Sequence, residues 1–296
     1  MQFEKFRSGY VSLTGRPNVG KSTLLNAMLG EKIAIVAPKS QTTRNRIVGI
    51  KTLPEAQIVF IDTPGIHKPR HRLGEIMVRE AWESVKAVDL ILLMVKPEEP
   101  GSGDRLIIET VKDLNKPVFL VINKIDTIKK PNLLPIIDAY SKFHDFKEIY
   151  PISALKGYGI EDLIKCIVDY LPIGPKYYPD DILTDQMERF MVSEIIREKI
   201  IEKTGDEIPH SVAVEITEWN EREEGVIFIR SNIYVERDGQ KGIIIGKGGL
   251  RLKAIGTNAR AEIESLLGTK VFLEIWVKVK KDWRSNERIL KDLGFK

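Results

Sequence analysis

The sequence predicts a two-domain chain: an α/β domain with a mostly parallel sheet flanked by helices, followed by a smaller α+β module. Three observations carry that expectation. Six short, near-continuous apolar runs alternate with helical patterns up to Leu171, as strands do when helices cover both faces of their sheet. A glycine-rich segment, Gly15 to Ser22, follows the first run closely. Beyond the last helical pattern, Pro172-Ile-Gly-Pro-Lys-Tyr-Tyr-Pro179 places three prolines where they stiffen the chain and stop the helix.

The strands are expected at Tyr10 to Leu13, Ile47 to Ile50, Ile58 to Ile61, Val88 to Val95, Val118 to Ile122 and Ile149 to Ile152. Leu24-Leu-Asn-Ala-Met-Leu29 has helical composition and ends at Gly30, so the glycine-rich loop meets a helix N-terminus. The lone Cys166 sits in a helical apolar pattern and excludes an internal disulfide, which suits a reducing compartment. The first domain is expected over residues 1–173, a linker over 174–184 and the second domain over 185–296. The second domain reads as a helix from Asp185 to Thr204, strands from Ser211 to Glu218 and Val226 to Val235, a helix from Gly248 to Leu267, a strand from Lys270 to Val279 and a terminal helix beginning near Trp283. The charged turn Asn220 to Gly225 makes the first two of these strands a hairpin.

Gly15-Arg16-Pro17-Asn18-Val19-Gly20-Lys21-Ser22 has the spacing of a phosphate-binding loop, with Thr23 next to it. Backbone N–H groups of such a loop cradle polyphosphate oxygens, Lys21 neutralises charge and Ser22 is placed to ligate Mg²⁺. That much suits ATP or GTP. Asp62-Thr63-Pro64-Gly65 closes an apolar run and supplies a carboxylate that reaches the metal through water. Asn123-Lys124-Ile125-Asp126 follows another buried-strand pattern. There Asp126 can accept both the N1–H and the 2-amino hydrogens of guanine, donors that adenine lacks, so guanine is the expected base.

Together with Ser153-Ala154-Leu155, these segments resemble the guanine-nucleotide set of the translation-factor class of GTPases. The resemblance implies that the Ala154 backbone supports the base edge. It also implies that a threonine of Lys39-Ser-Gln-Thr-Thr-Arg44, either Thr43 or its rival Thr42, joins Ser22 and Asp62 at Mg²⁺ in the triphosphate state. Gln41-Thr-Thr-Arg44, Asp62 to Gly65 and Ile245-Gly246-Lys247-Gly248-Gly249 extend the resemblance over almost the whole chain to the Era family, in which a P-loop GTPase domain precedes a type II KH domain. Many signalling GTPases place a water-orienting glutamine where this chain has Ile66. The expected catalytic set is therefore Lys21, Thr43 and Asn18, since relatives with asparagine at the Asn18 position can use it to help hold a potassium ion. Unaided hydrolysis is expected to be slow.

Gly246 to Gly249 matches the Gly-x-x-Gly loop of a KH domain, whose glycines admit a nucleic-acid backbone and clamp about four nucleotides. Ile243 to Ile245 is expected to pack on the sheet beneath that groove. The candidate RNA contacts are Ile245, Gly246, Lys247, Gly248, Gly249, Arg251, Lys253, Lys281, Trp283 and Arg284. Trp283 has two readings, a ring that stacks on a base or a plug that anchors the last helix. His67 and His71 have the i,i+4 spacing of helical zinc ligands but flank Pro69 without neighbouring ligands, and they read as part of a mobile second switch.

The family resemblance implies GTP and GDP as ligands, Mg²⁺ and potentially K⁺ as ions, and a mainly monomeric factor. Its implied partners are the small (30S) ribosomal subunit and the 3′ region of 16S ribosomal RNA during assembly. Composition is compatible with this. The chain has 296 residues, 43% of them apolar, and no run near the about 18 residues needed to cross a bilayer. Its first residues leave no room for a cleavable signal, so the expected location is cytoplasmic, with peripheral contact at the inner face of the membrane as an option. A net charge of +4 says little, but Thr204 to Arg237 is acidic and Lys241 onward basic, which suggests an oriented face. A competing class is a nucleotide-gated signalling protein whose second domain docks protein or anionic lipid.

Overall fold

Burial accounts for the order of the strands. In a computed structural model describing residues 6–37, 42–205, 207–222 and 225–295, β1 (Arg7–Gly15), β3 (Ala56–Asp62), β4 (Leu90–Val95), β5 (Val118–Ile122) and β6 (Glu148–Pro151) run parallel, and β2 (Ile47–Thr52) pairs antiparallel with β3. The sheet order is β2-β3-β1-β4-β5-β6. Every residue of β3, β4 and β5 is buried. Helices α1 (Lys21–Leu29), α2 (Arg72–Lys86), α3 (Ser102–Lys112) and α4 (Leu133–Ser141) separate successive strands along the chain except β2 and β3, which follow directly, and α5 (Ile160–Tyr170) follows β6. The run from Val88 to Val95 forms a strand only from Leu90, because the Asp89 carboxylate turns back to accept the Tyr10 backbone N–H at 2.8 Å.

The chain divides into two compact units, the first holding the described residues up to 34, 43–69 and 77–185. Its last stretch, including the expected linker, is tied down. The Gln57 carboxamide accepts from Tyr177 N and Tyr178 N and donates to Tyr178 O, while Thr184 donates to Val48 O at 2.6 Å.

The second unit holds the described residues of 35–42, 70–76 and 186–296. Its elements are α6 (Glu188–Lys203), α7 (Ile208–Ser211), β7 (Ala213–Glu221), β8 (Ile227–Val235), α8 (Asp238–Ile245), α9 (Leu250–Leu267), β9 (Val271–Val279) and α10 (Glu287–Asp292). β7 and β8 form the expected antiparallel hairpin, and β9 adds to β8 in parallel. Part of the expected turn, Glu223 and Glu224, lies outside the described residues, as do Lys39, Ser40 and Gln41. Within this unit, Val36 N donates to Glu198 Oε1 at 2.8 Å, Arg197 donates to Thr42 O, and Leu73 N donates to Arg284 O at 2.9 Å.

Two expectations need correction. The Ile243 to Ile245 run ends a helix, α8, so only part of it faces inward: Ile244 is buried, Ile245 half-buried and Ile243 exposed. The terminal helix starts at Glu287 rather than near Trp283, because the Asn286 side chain accepts from Arg288 N and Ile289 N and caps it there.

Candidate nucleotide and nucleic-acid sites

The phosphate-loop segment links β1 to α1 through backbone that few side chains tolerate. Asn18 and Gly20 both have left-handed φ, and a Cβ on Gly20 would lie 2.3 Å from Asn123 Nδ2. At the start of α1, Lys21 is buried, with Nζ 3.4 Å from Arg16 O. Burial lowers its pKa, opposed by the charge of Asp62, whose own pKa burial raises. Thr23 is half-buried on the same turn.

Three oxygen-bearing side chains converge beside Lys21. Ser22 Oγ lies 2.8 Å from Thr43 Oγ1 and donates to Asp62 Oδ2 at 2.6 Å, and Thr43 donates to the same oxygen at 3.3 Å. Asp62 Oδ1 is buried without a hydrogen-bond partner among the described residues. Two hydroxyls and an orphaned carboxylate oxygen are the donor set a hard divalent cation such as Mg²⁺ takes, alongside phosphate oxygens. Thr42 is not in this cluster and places its hydroxyl 3.4 Å from Ala37 O.

After Asp62, Thr63 donates to Leu13 O at 2.9 Å, and Gly65 passes so close to Pro17 that a Cβ would lie 2.7 Å from its nitrogen. Pro64 is buried between them. Ile66 N donates to Gly15 O, but the Ile66 side chain turns into the hydrophobic core. His67 Nδ1 lies 2.8 Å from Gly65 O and His71 Nδ1 accepts from Gly74 N. No group of three or more His, Cys, Asp or Glu side chains among the described residues could hold a metal.

Asn123 joins three loops. Its Nδ2 donates to Val19 O at 2.8 Å, and its Oδ1 accepts from Lys124 N at 2.8 Å and Ala154 N at 2.9 Å. Lys124, also in left-handed conformation, donates from Nζ to Asn18 O at 2.9 Å. Asp126 is exposed, and its Oδ1 accepts from Ser153 Oγ at 2.5 Å, which orients the carboxylate. Ala154 is buried beneath it while Leu155 is 75% exposed.

In the second unit, the chain between α8 and α9 is a short 3₁₀ turn, Lys247–Gly249, with positive φ at Gly246, Gly248 and Gly249. A Cβ on Gly246 would meet Arg251 Cβ at 2.7 Å. Lys247 and Gly248 are exposed, as are Arg251, Lys253 and Lys281. Beside the turn lies a groove of about 400 Å³ lined by Gly249, Leu252, Lys253, Arg260, Leu273 and Ile275 among others.

Two of the expected RNA contacts are engaged elsewhere. Trp283 is fully buried, with Nε1 donating to Ser211 O at 2.8 Å, so it offers no face for stacking and is the core plug. The Arg284 guanidinium is held by Glu236 at 2.5 Å.

Comparison with known proteins decides the family. Residues 10–124 match a family model described as a 50S ribosome-binding GTPase, and residues 207–284 match a KH domain model. GTPase Era of Ruminiclostridium cellulolyticum is 55% identical over 98% of both chains, and GTPase Era of Lactobacillus helveticus is 54% identical over 100% of this chain and 98% of its own. The chain belongs to the Era family of GTPases.

Two solved Era structures, each 46% identical and covering 98% of this chain and 99% of their own, have the same fold. One, with a TM-score of 0.96, holds MgGDPNP and nucleotides 1506–1542 of 16S ribosomal RNA. The other, an Aquifex aeolicus Era variant bound to GDP and AlF₄⁻, has a TM-score of 0.95. As an Era-family GTPase, the chain binds and hydrolyses GTP. Sequence reasoning overlooked the ion-paired support under its phosphate loop, where Arg16 meets Asp104 at 2.8 Å and Glu98 at 2.5 Å. The acids stand 82 and 88 positions away, with no local pattern to signal them.

Proposed function

We propose that this GTPase binds the 3′ region of 16S ribosomal RNA on the small (30S) subunit and acts as a nucleotide-gated factor in its assembly. The observation that carries the reading is one chain holding both the Ser22, Thr43 and Asp62 oxygen cluster and an open glycine-loop groove flanked by exposed Lys247 and Lys253. Its likeness to the RNA-bound Era structure supports the same partner.

In this reading the loop from Gly15 to Thr23 takes the phosphates and Lys21 balances their charge, aided by the α1 N-terminus. Asp126 takes the guanine edge, with Ser153, Ala154, Leu155 and Lys124 shaping its surroundings. Ser22, Thr43 and Asp62 would hold Mg²⁺, which when bound neutralises charge on the phosphates. Ile66 offers the attacking water no polar side chain, so its positioning falls to backbone and to Thr43, and hydrolysis is slow unaided. Asn18 is the candidate for holding K⁺; equal rates in potassium and sodium buffers would count against that role.

In this reading the domains span 1–173 and 185–296, joined by 174–184, a stretch that groups with the first unit. The described residues of 35–42 and 70–76, which adjoin Thr43 and follow Gly65, group with the second unit. A change in their order on loss of the γ-phosphate would therefore bear on the RNA-binding part. The factor acts as a cytoplasmic monomer. Among the described residues no helix is long and apolar enough to cross a membrane, and any membrane contact would be peripheral. The test is Lys247→Ala together with Gly248→Asp: RNA binding should be lost while GTP hydrolysis persists. Unchanged RNA binding would instead favour a second domain that docks protein or lipid.

A further inference from the structure

The sheet of the second unit has a face that the glycine-loop groove does not use. Along β9, Val271 and Val277 are buried and Leu273 and Ile275 line the groove, whereas Phe272 and Trp276 project from the other side, 55% and 54% exposed. Four residues of strand set these rings about 13 Å apart on one side of the sheet. Large rings left half in water on a regular strand mark a surface that something covers.

Both rings are oriented. Phe272 stacks on Phe228 with centroids 5.7 Å apart and planes 20° apart, and the Arg222 guanidinium lies over both. The Trp276 indole N–H donates to Glu274 at 2.7 Å, and Glu274 is held in turn by Arg230 at 2.9 Å. The carboxylates on this face have partners within it: Arg230 also binds Glu218, and Tyr234 donates to Glu215 at 2.6 Å. At the Trp276 end stand Lys278, exposed, and Lys280, whose ammonium lies 3.9 Å from the Tyr234 ring centroid.

We propose that this face is a second stacking platform for single-stranded RNA, taking bases on Trp276 and Phe272 from a strand that leaves the groove around β9. Aromatic rings on an open sheet, flanked by cations, are how sheet-based RNA binders hold unstacked bases. β9 is an edge strand of the sheet, and its side chains alternate between groove and platform, so the two surfaces are continuous around that edge. The platform rests on the RNA-binding reading above.

The experiment uses the full chain with a GTP analogue and two labelled single-stranded RNAs from the 16S 3′ end, one of about four nucleotides to fill the loop and one about three times longer. Trp276→Ala should weaken the longer RNA about tenfold and leave the short one unchanged. Trp276→Phe should restore most of the loss, with melting temperature and GTP hydrolysis unaltered throughout. Unchanged binding of both RNAs to Trp276→Ala overturns the platform and assigns the face to a protein partner. Equal weakening of both RNAs with a lowered melting temperature also overturns it, as a structural effect. If the unmodified chain binds neither RNA, the RNA reading itself fails.

Discussion

Replacing Asn123 with alanine should lower nucleotide affinity through the loops its side chain joins. The side chain is 2% exposed and makes three hydrogen bonds of 2.8 to 2.9 Å, to Val19 O, Lys124 N and Ala154 N. Losing the bond to the half-buried Lys124 N costs about 1 kcal/mol net, and leaving the buried Val19 O and Ala154 N without a partner costs about 1–3 kcal/mol each, a total of about 3–7 kcal/mol shared between folding and binding. If about 2.7 kcal/mol falls on the ligand-bound arrangement of the loops, the Kd for GDP rises about a hundredfold. Titration with a fluorescent GDP measures that term, and melting curves with and without nucleotide measure the remainder. A Kd within threefold of the unmodified chain would refute the reasoning, since Asn123 would then not be the joint between the phosphate and base loops.

Trp283→Ala should destabilise the second unit by about 3–5 kcal/mol, from a lost buried side chain and its bond to Ser211 O. A large loss of RNA affinity without a lower melting temperature would contradict the plug. Thr43→Ala should reduce the Mg²⁺ dependence of GTP-analogue binding far more than Thr42→Ala, because only Thr43 shares Asp62 Oδ2 with Ser22; equal effects would remove Thr43 from the metal set. Affinity for GDP should fall as pH rises toward 10.5, the ordinary lysine value. Burial lowers the Lys21 pKa in the nucleotide-free chain and bound phosphates favour its ammonium, so binding takes up a proton above the lowered pKa. A flat affinity profile over that range, or Lys21→Met retaining the same slope, would argue against it.

Where chemistry and local pattern coincide, the site could be read from the chain alone. The phosphate loop, Asp62 and the Asn123 to Asp126 segment each follow an apolar strand run, and a run of that kind dictates both burial and where the loop emerges. Thr43 could not be separated from Thr42 that way, because the choice depends on which hydroxyl reaches Asp62 from 19 residues away. The bonds from Asn123 to Val19 and from Lys124 to Asn18 span 104 and 106 residues and leave no periodic trace. Helix α8 left little trace in the sequence, because Ile243 to Ile245 offers only three apolar residues beside the glycine loop, and the helix that carries them begins at Asp238. Trp283 shows a further limit: basic neighbours make a tryptophan resemble a stacking ring, and only tertiary packing reveals it as core.

The most direct test is equilibrium binding of the full chain to a 3′-terminal 16S ribosomal RNA fragment in GTP-analogue, GDP and nucleotide-free states, against a scrambled RNA of equal length. Tighter, sequence-dependent binding in the triphosphate state is the predicted result. Equal affinity for the authentic and scrambled RNAs in all three states would contradict a nucleotide-gated ribosomal RNA factor.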